Sequence, residues 1–273
     1  MPSKQRLDVA LVRRGLARSR EHGQAMILSG TVFLNGRRAD KASFMVVDSD
    51  ALEVRGAPHP YVSRGGLKLQ KALEVFRVDT RDAVAMDIGA STGGFTDVLL
   101  RAGARKVYAI DVGYGQLDWK LRTDPRVVVM ERTNARHLAP EQFPDPPALC
   151  VMDVSFISVR LILPAALRVM GGAGCFVILI KPQFEAGRDR VGKKGVVRDA
   201  AAHLEVLQNV RAFAGGIGLA VRGVDFSPIA GPEGNLEFLL NLAPGEEADS
   251  RVTIKDLEEI VAKAHKTLGQ GLQ

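Results

Sequence analysis

The chain has 273 residues and a formal net charge of +6, with 46% hydrophobic and 25% charged residues. That balance is ordinary for a globular protein and excludes a collagen-like, coiled-coil or mostly disordered chain; the length allows one or two domains with a sizeable core. The charge is uneven. Residues 1–77 hold 14 Lys and Arg against 7 Asp and Glu, and the remainder hold 23 against 24, so a basic module suited to a polyanion is joined to a near-neutral one.

The opening segment, MPSKQRLDVALVRRGLARSR, carries charges every few residues and does not read as a signal peptide. Leu7, Val9, Ala10, Leu11 and Val12, followed by Gly15, predict a short helix over 6–15. Ser19 suits the cap of a second helix, with Ala25, Met26, Ile27 and Leu28 apolar and Gly30 as its stop. Thr31–Leu34 reads as a strand, Asn35-Gly36 as a tight turn and Ala51–Arg55 as a further strand. A small basic α+β unit of this order resembles the S-four-like RNA-binding domain of one small-subunit ribosomal protein, tyrosyl-tRNA synthetases and many pseudouridine synthases. The strings RLDVALVRRGLARSR and SGTVFLNGRRA carry the resemblance. It implies contacts with RNA phosphates, for which Arg6, Arg13, Arg14, Arg18, Arg20, Arg37 and Arg38 are the candidates.

Pro58, Pro60, Gly65 and Gly66 punctuate residues 57–66 and predict a linker. The expected division is a first domain over 1–60, a linker over 61–66, a second domain over 67–246 and a helical extension over 247–273. A helix follows the linker, with Leu67, Leu69, Ala72, Leu73 and Phe76 apolar and Lys68 and Lys71 expected on another face. From residue 83, seven apolar runs follow: AVAMDIG, KVYAIDV, RVVVME, ALCVMDV, CFVILIK, LAVRGVDF and LEFLLNL. Helical segments separate the first five, which predicts an α/β, Rossmann-like parallel sheet covered on both faces. The last two are joined by SPIAGPEGN, too short for a crossover, so an antiparallel strand is expected at the sheet edge. Cys150 and Cys175 lie apart in apolar runs with no CxxC, which predicts buried thiols in a reducing, cytoplasmic setting and no metal site. No run approaches 18 apolar residues, so no membrane span is expected.

The glycine loop is the most informative segment. In AMDIGASTGGFTD a strand ends at Asp87-Ile88-Gly89, and Ala90, Ser91, Thr92 and Gly93 lead into a helix. Such a loop lets the backbone approach a ligand at the sheet's carboxyl edge. The pattern is Asp-x-Gly-x-x-x-Gly rather than G-x-G-x-x-G. An acid before the first glycine suits the cationic S-adenosylmethionine better than a pyrophosphate. Asp111, ending the next strand, suits ribose hydroxyls, and Asn134, after the third, suits the adenine edge. Asp153 ends the fourth run and Lys181 the fifth, where burial would desolvate its amine. Glu237 begins the last run. With Lys68 from the preceding helix, four charged groups of mixed sign are expected to converge beside the loop.

Lys68, Asp153, Lys181 and Glu237, together with GASTGGFTD, resemble the tetrad and loop of the FtsJ-related ribose 2′-O-methyltransferases. The order of basic domain, linker and methyltransferase resembles the TlyA, or hemolysin A, family across nearly the whole chain. The supporting strings are VSRGG, DVGYGQL, RTNAR, DVSFIS, KPQFE and SPIAGPEGN. The resemblance implies S-adenosylmethionine-dependent methylation of cytidine ribose in ribosomal RNA of the large subunit, with some family members acting on the small one as well. One departure is the linker. Some members carry a tryptophan before VSRG, and here His59-Pro60-Tyr61-Val62 stands instead. Lys181 is either a general base or a charge that holds the developing alkoxide. Two other classes compete: a membrane-active hemolysin, which needs an apolar or strongly amphipathic segment, and a ribosome-binding factor that does no chemistry. The basic, glycine-containing segment EAGRDRVGKKGVVRD reads as a loop that grips RNA or as a plain solvated loop.

Overall fold

The computed structural model describes residues 4–17, 19–28, 30–54, 59–192 and 195–268. The chain divides into two units, residues 1–66 and 67–273.

In the first unit, β1 (Gln5–Arg6) leads into α1 (Leu7–Arg13) and then α2 (Arg20–Leu28). Leu7, Ala10 and Leu11 fall on one face of α1 and are buried with Ile27 of α2. β2 (Val32–Leu34) turns through Asn35-Gly36 into β3 (Arg37–Arg38), and both turn residues have positive φ, the geometry that matches strand twist. β4 (Met45–Val46) pairs with β1, and β5 (Leu52–Val54) with the other side of β2. Val32 and Val46 close the small core. The segment expected as a linker is folded locally: Tyr61 packs so close to Gly66 that a Cβ on Gly66 would meet its ring at 2.6 Å. Pro58 lies outside the described residues.

The second unit opens with α3 (Gly66–Phe76) and is built on a seven-stranded sheet. Its strands are β6 (Val84–Ile88), β7 (Lys106–Ile110), β8 (Val127–Met130), β9 (Leu149–Met152), β10 (Cys175–Ile180), β11 (Leu219–Phe226) and β12 (Phe238–Pro244), in the spatial order β11-β12-β10-β9-β6-β7-β8. Its further helices are α4 (Gly94–Arg101), α5 (Trp119–Arg122), α6 (Leu163–Val169), α7 (Pro182–Glu185), α8 (Ala200–Gly216) and α9 (Ile254–Leu268). Val261 and Ala264 of α9 are buried in the same core as β6, β9 and β10.

Two expectations are corrected. The antiparallel strand is not the edge. β12 lies between β10 and β11 and pairs antiparallel with both. α8 carries the chain past one strand position, and β12 returns into the gap. Residues 238–242 are buried on both faces there, whereas Arg222, Gly223 and Val224 of edge strand β11 are half-exposed. Lys68 does not lie on a face apart from the apolar residues of α3. It is buried with Leu69 and Ala72, because carboxylates meet its ammonium inside the domain. Lys71 reaches Asp225 and the Phe226 carbonyl at 2.9 and 2.7 Å.

Strand register sets the level of the site. Ile88, Ile110, Met152 and Ile180 end their parallel strands, and Phe238, which starts β12, pairs with Ile180. Residues just beyond those ends, and just before Phe238, therefore meet at one edge of the sheet.

Candidate active site

The glycine loop is held from its own sheet. Gly89 and Ala90 donate their N–H groups to the Ile110 carbonyl at 2.8 and 3.1 Å. Gly89 has φ +87°, and a side chain there would press on the Asp153 main chain. The Asp111 carboxylate accepts the Ser91 and Gly113 N–H groups at 2.8 and 2.7 Å. A cavity of about 470 Å³ opens beside the loop, in the size range of small-molecule sites. Gly89, Ser91, Asp111, Asn134 and Asp153 contribute to its wall, with apolar surface from Ile88, Ile110 and Ile162. The wall thus offers both carboxylates and branched aliphatic side chains, which suits a ligand with a cationic and an apolar part.

Other expected loop residues shape the cavity from behind. The Ala90 carbonyl accepts the Gly93 N–H at 2.7 Å, and the Thr92 carbonyl accepts the Asp118 N–H at 3.2 Å. Asp87 is fully buried, is absent from the wall, and accepts the Thr96 hydroxyl at 2.7 Å. Burial pushes its carboxyl up to about 7; the Thr96 bond opposes this and the nearby Asp153 charge adds to it. Asn134 lines the cavity, but its Oδ1 already accepts the Arg136 N–H at 3.1 Å as a helix cap.

The four charged groups form one chain. Lys68 Nζ lies 2.6 Å from Glu237 Oε2 and 3.7 Å from Asp153 Oδ2, and Lys181 Nζ lies 2.6 Å from Asp153 Oδ1. Both lysines are buried, and Glu237 is fully so. Burial pushes the Asp153 carboxyl up, but the charges of Lys68 and Lys181 together outweigh it and hold the group below the usual carboxylate range. Two cations and two carboxylates alternate, so each buried charge has a partner, as burial demands. Lys181, held by Asp153 of the cavity wall, can stabilise an oxyanion as the ammonium or, when neutral, accept a proton from a hydroxyl.

Several wall residues were not singled out in the sequence: Gln116, Thr133, Arg136, Ser155 and Phe156. Ser155 accepts a hydrogen bond from Lys181 Nζ at 2.8 Å. Phe156 is 90% exposed at φ +65°, with its ring 5.1 Å from that of Phe184. The available signal was their position in the segments that follow strand ends, in DVSFIS, DVGYGQL and RTNAR.

Residues 61–243 match the model of the FtsJ-like methyltransferases, and residues 5–52 match the S4 domain. The chain belongs to the FtsJ-like methyltransferase family. Within this family it is 44% identical to the 16S/23S rRNA (cytidine-2′-O)-methyltransferase TlyA of Mycobacterium tuberculosis, across 99% of this chain and 100% of that one. It is 50% identical to YqxC of Bacillus subtilis, a candidate rRNA methyltransferase, across 97% and 95% of the two chains. A solved structure from Streptococcus thermophilus, described as a hemolysin candidate, has 46% identity and a TM-score of 0.79, covering 100% of this chain and 99% of its own. Among the described residues no helix is long and apolar enough to cross a membrane, and no cluster of His, Cys, Asp and Glu could hold a metal ion.

The arginines of the S4 domain differ in their engagements. Arg6 and Arg20 both grip the buried Asp8, at 3.0 and 2.9 Å, which holds that carboxyl well below the usual range. Arg13 pairs with Asp48. Arg14 donates to the carbonyls of Asp50 and Val47 at 2.6 and 2.9 Å and so ties down their turn. Arg37 and Arg38 are exposed on β3. Arg18 lies outside the described residues.

Proposed function

We propose that the protein methylates the ribose 2′-hydroxyl of cytidine in ribosomal RNA within ribosomal subunits, with S-adenosylmethionine as donor. The observation that carries this reading is the alternating Glu237–Lys68–Asp153–Lys181 chain, whose Asp153 belongs to the wall of the cavity beside the glycine loop. Membership of the FtsJ-like family and the 44% identity to a TlyA cytidine-2′-O-methyltransferase support the same substrate.

In this reading Gly89 and Ser91 hold the donor through the loop backbone, Asp111 meets its ribose and Asn134 its base. S-adenosylmethionine, when bound, supplies an electrophilic methyl group on a cationic sulfur. A ribose hydroxyl is a weak nucleophile until its proton leaves. Lys181 either takes that proton as the neutral amine or holds the developing alkoxide as the ammonium. Asp153 aims Lys181, while Lys68 and Glu237 hold Asp153 and balance its charge. The basic S4 domain brings phosphate-contacting arginines to the RNA, with Arg37 and Arg38, exposed on β3, the best disposed.

Incubating purified 30S and 50S subunits, lacking this modification, with the protein and methyl-labelled S-adenosylmethionine tests the reading. Label on cytidine 2′-O, located by nuclease mapping and mass spectrometry, is expected. Absence of label from both subunits overturns it.

A further inference from the structure

We propose that Ser155 is a positioning residue for Lys181, a fifth member of the charged chain that fixes where the lysine amine points. The proposal rests on the reading of Lys181 as the group that acts on the ribose hydroxyl.

A lysine ammonium has three N–H donors on a stem with four rotatable bonds, so one contact does not fix its direction. Lys181 has two contacts: Asp153 Oδ1 at 2.6 Å and Ser155 Oγ at 2.8 Å. Two engaged positions leave one for a substrate hydroxyl. Ser155 is exposed and lines the cavity together with Asp153, so both partners of the lysine lie on the wall.

The segment that presents Ser155 is itself tied down. Glu185, from α7 immediately beyond Lys181, accepts the Ser158 hydroxyl at 2.6 Å and the Val159 N–H at 2.7 Å. Arg160 stands 3.5 Å from the same carboxylate. The connection after β9 is therefore stapled to the connection after β10, and the distance from Ser155 to Lys181 is set by contacts at both ends. Phe156, a bulky residue at φ +65°, fits the same view, since such a conformation persists only where the surroundings impose it.

The charged groups around Lys181 are Asp153 after β9, Lys68 on α3 and Glu237 before β12, with Glu185 behind the Ser155 segment. Ser155 is the neutral member of this set. Its hydroxyl accepts a hydrogen bond from the Lys181 amine and so helps to fix its direction. Removing it loosens the aim of the amine.

The test compares Ser155→Ala and Ser155→Thr with the wild type. Lys181 is followed by NMR of protein labelled at lysine 13Cε, its signal assigned by loss in Lys181→Arg. Ser155→Ala is expected to shift and broaden the Lys181 13Cε signal at constant pH, and Ser155→Thr, which keeps the hydroxyl, to restore it. In steady-state methylation of ribosomal subunits, Ser155→Ala is expected to lower kcat by on the order of ten- to a hundredfold with little change in KM for RNA, and Ser155→Thr to recover most of the rate. An unmoved Lys181 signal together with wild-type kcat in Ser155→Ala overturns the proposal. The signal is read without turnover, so a wild-type protein that fails to methylate either subunit counts against the proposed function and leaves the Ser155–Lys181 contact separately decided.

Discussion

Gly89 and Asp153 lie in such close contact that no side chain fits between them: a Cβ on Gly89 would stand 2.5 Å from the Asp153 carbonyl oxygen and 2.9 Å from its carbonyl carbon. One glycine of the ligand loop thus abuts the main chain of the residue at the centre of the charged chain. Neither element can shift alone, since the Asp153 N–H also donates to the Ile88 carbonyl at 3.0 Å.

Gly89→Ala is therefore expected to damage both functions of the edge. Positive φ alone costs a non-glycine residue about 1–2 kcal/mol, and the carbonyl must also move. Calorimetry with S-adenosylhomocysteine is expected to show binding at least tenfold weaker, and thermal melting a lower Tm. Wild-type affinity would show that the ligand does not lie against this loop.

Lys181→Ala is expected to reduce methyl transfer by at least about a hundredfold, the scale of a lost oxyanion-type contact, while RNA and donor binding persist. Lys181→Arg separates the two roles, because arginine stays charged and cannot serve as a base. Partial rescue by arginine marks an electrostatic role, and no rescue marks a base. Near-wild-type turnover in Lys181→Ala at saturating donor would place the active centre elsewhere.

Asp87 carries a pH signature. Its carboxyl is pushed up to about 7 in the folded protein by burial, against about 4 for an ordinary aspartate. A folded-state pKa above the unfolded one gives a contribution fully present below about pH 4 and lost as pH rises toward 7. Asp87→Asn has no proton to lose and keeps an acceptor for Thr96. The stability of the variant relative to wild type, from denaturant melts, is expected to improve from pH 4 to 7 and then level off. A difference independent of pH would show that Asp87 is ionised throughout.

Arg38 and Arg14 should behave differently although both were candidates for RNA. Arg38 is exposed, and Arg38→Ala is expected to weaken RNA binding and to reduce the salt slope by about 1 if it meets a phosphate. Arg14 is occupied by the Asp50 and Val47 carbonyls, so Arg14→Ala is expected to lower stability first, with the salt slope little changed. Binding to an rRNA fragment at several salt concentrations, paired with melting curves, checks both. Equal slopes for the two variants would remove the distinction.

What was legible in the sequence was local. The seven apolar runs became seven strands of one sheet, since a run buried on both faces needs no knowledge of its neighbours to be recognised. The glycine loop was legible because a tight turn at a strand end leaves its mark in a few adjacent residues. Lys68, Asp153, Lys181 and Glu237 were found as strand-end and helix positions and by family resemblance, and they do lie together. Other features depended on partners far along the chain. Only packing decided that β12 enters beside β10 rather than at the edge, because strand order is set by how far α8 carries the chain. Only packing turned Lys68 inward: helix periodicity puts it beside Leu69 and Ala72, and Glu237 decides whether a lysine can stay there. The same holds for Ser155, an ordinary serine in the sequence, which acquires its place beside Lys181 because Glu185 closes one loop onto another. Spacing along a chain reports on the faces of single elements, while the direction of a buried charge is set by whichever opposite charge the fold brings within about 3 Å of it.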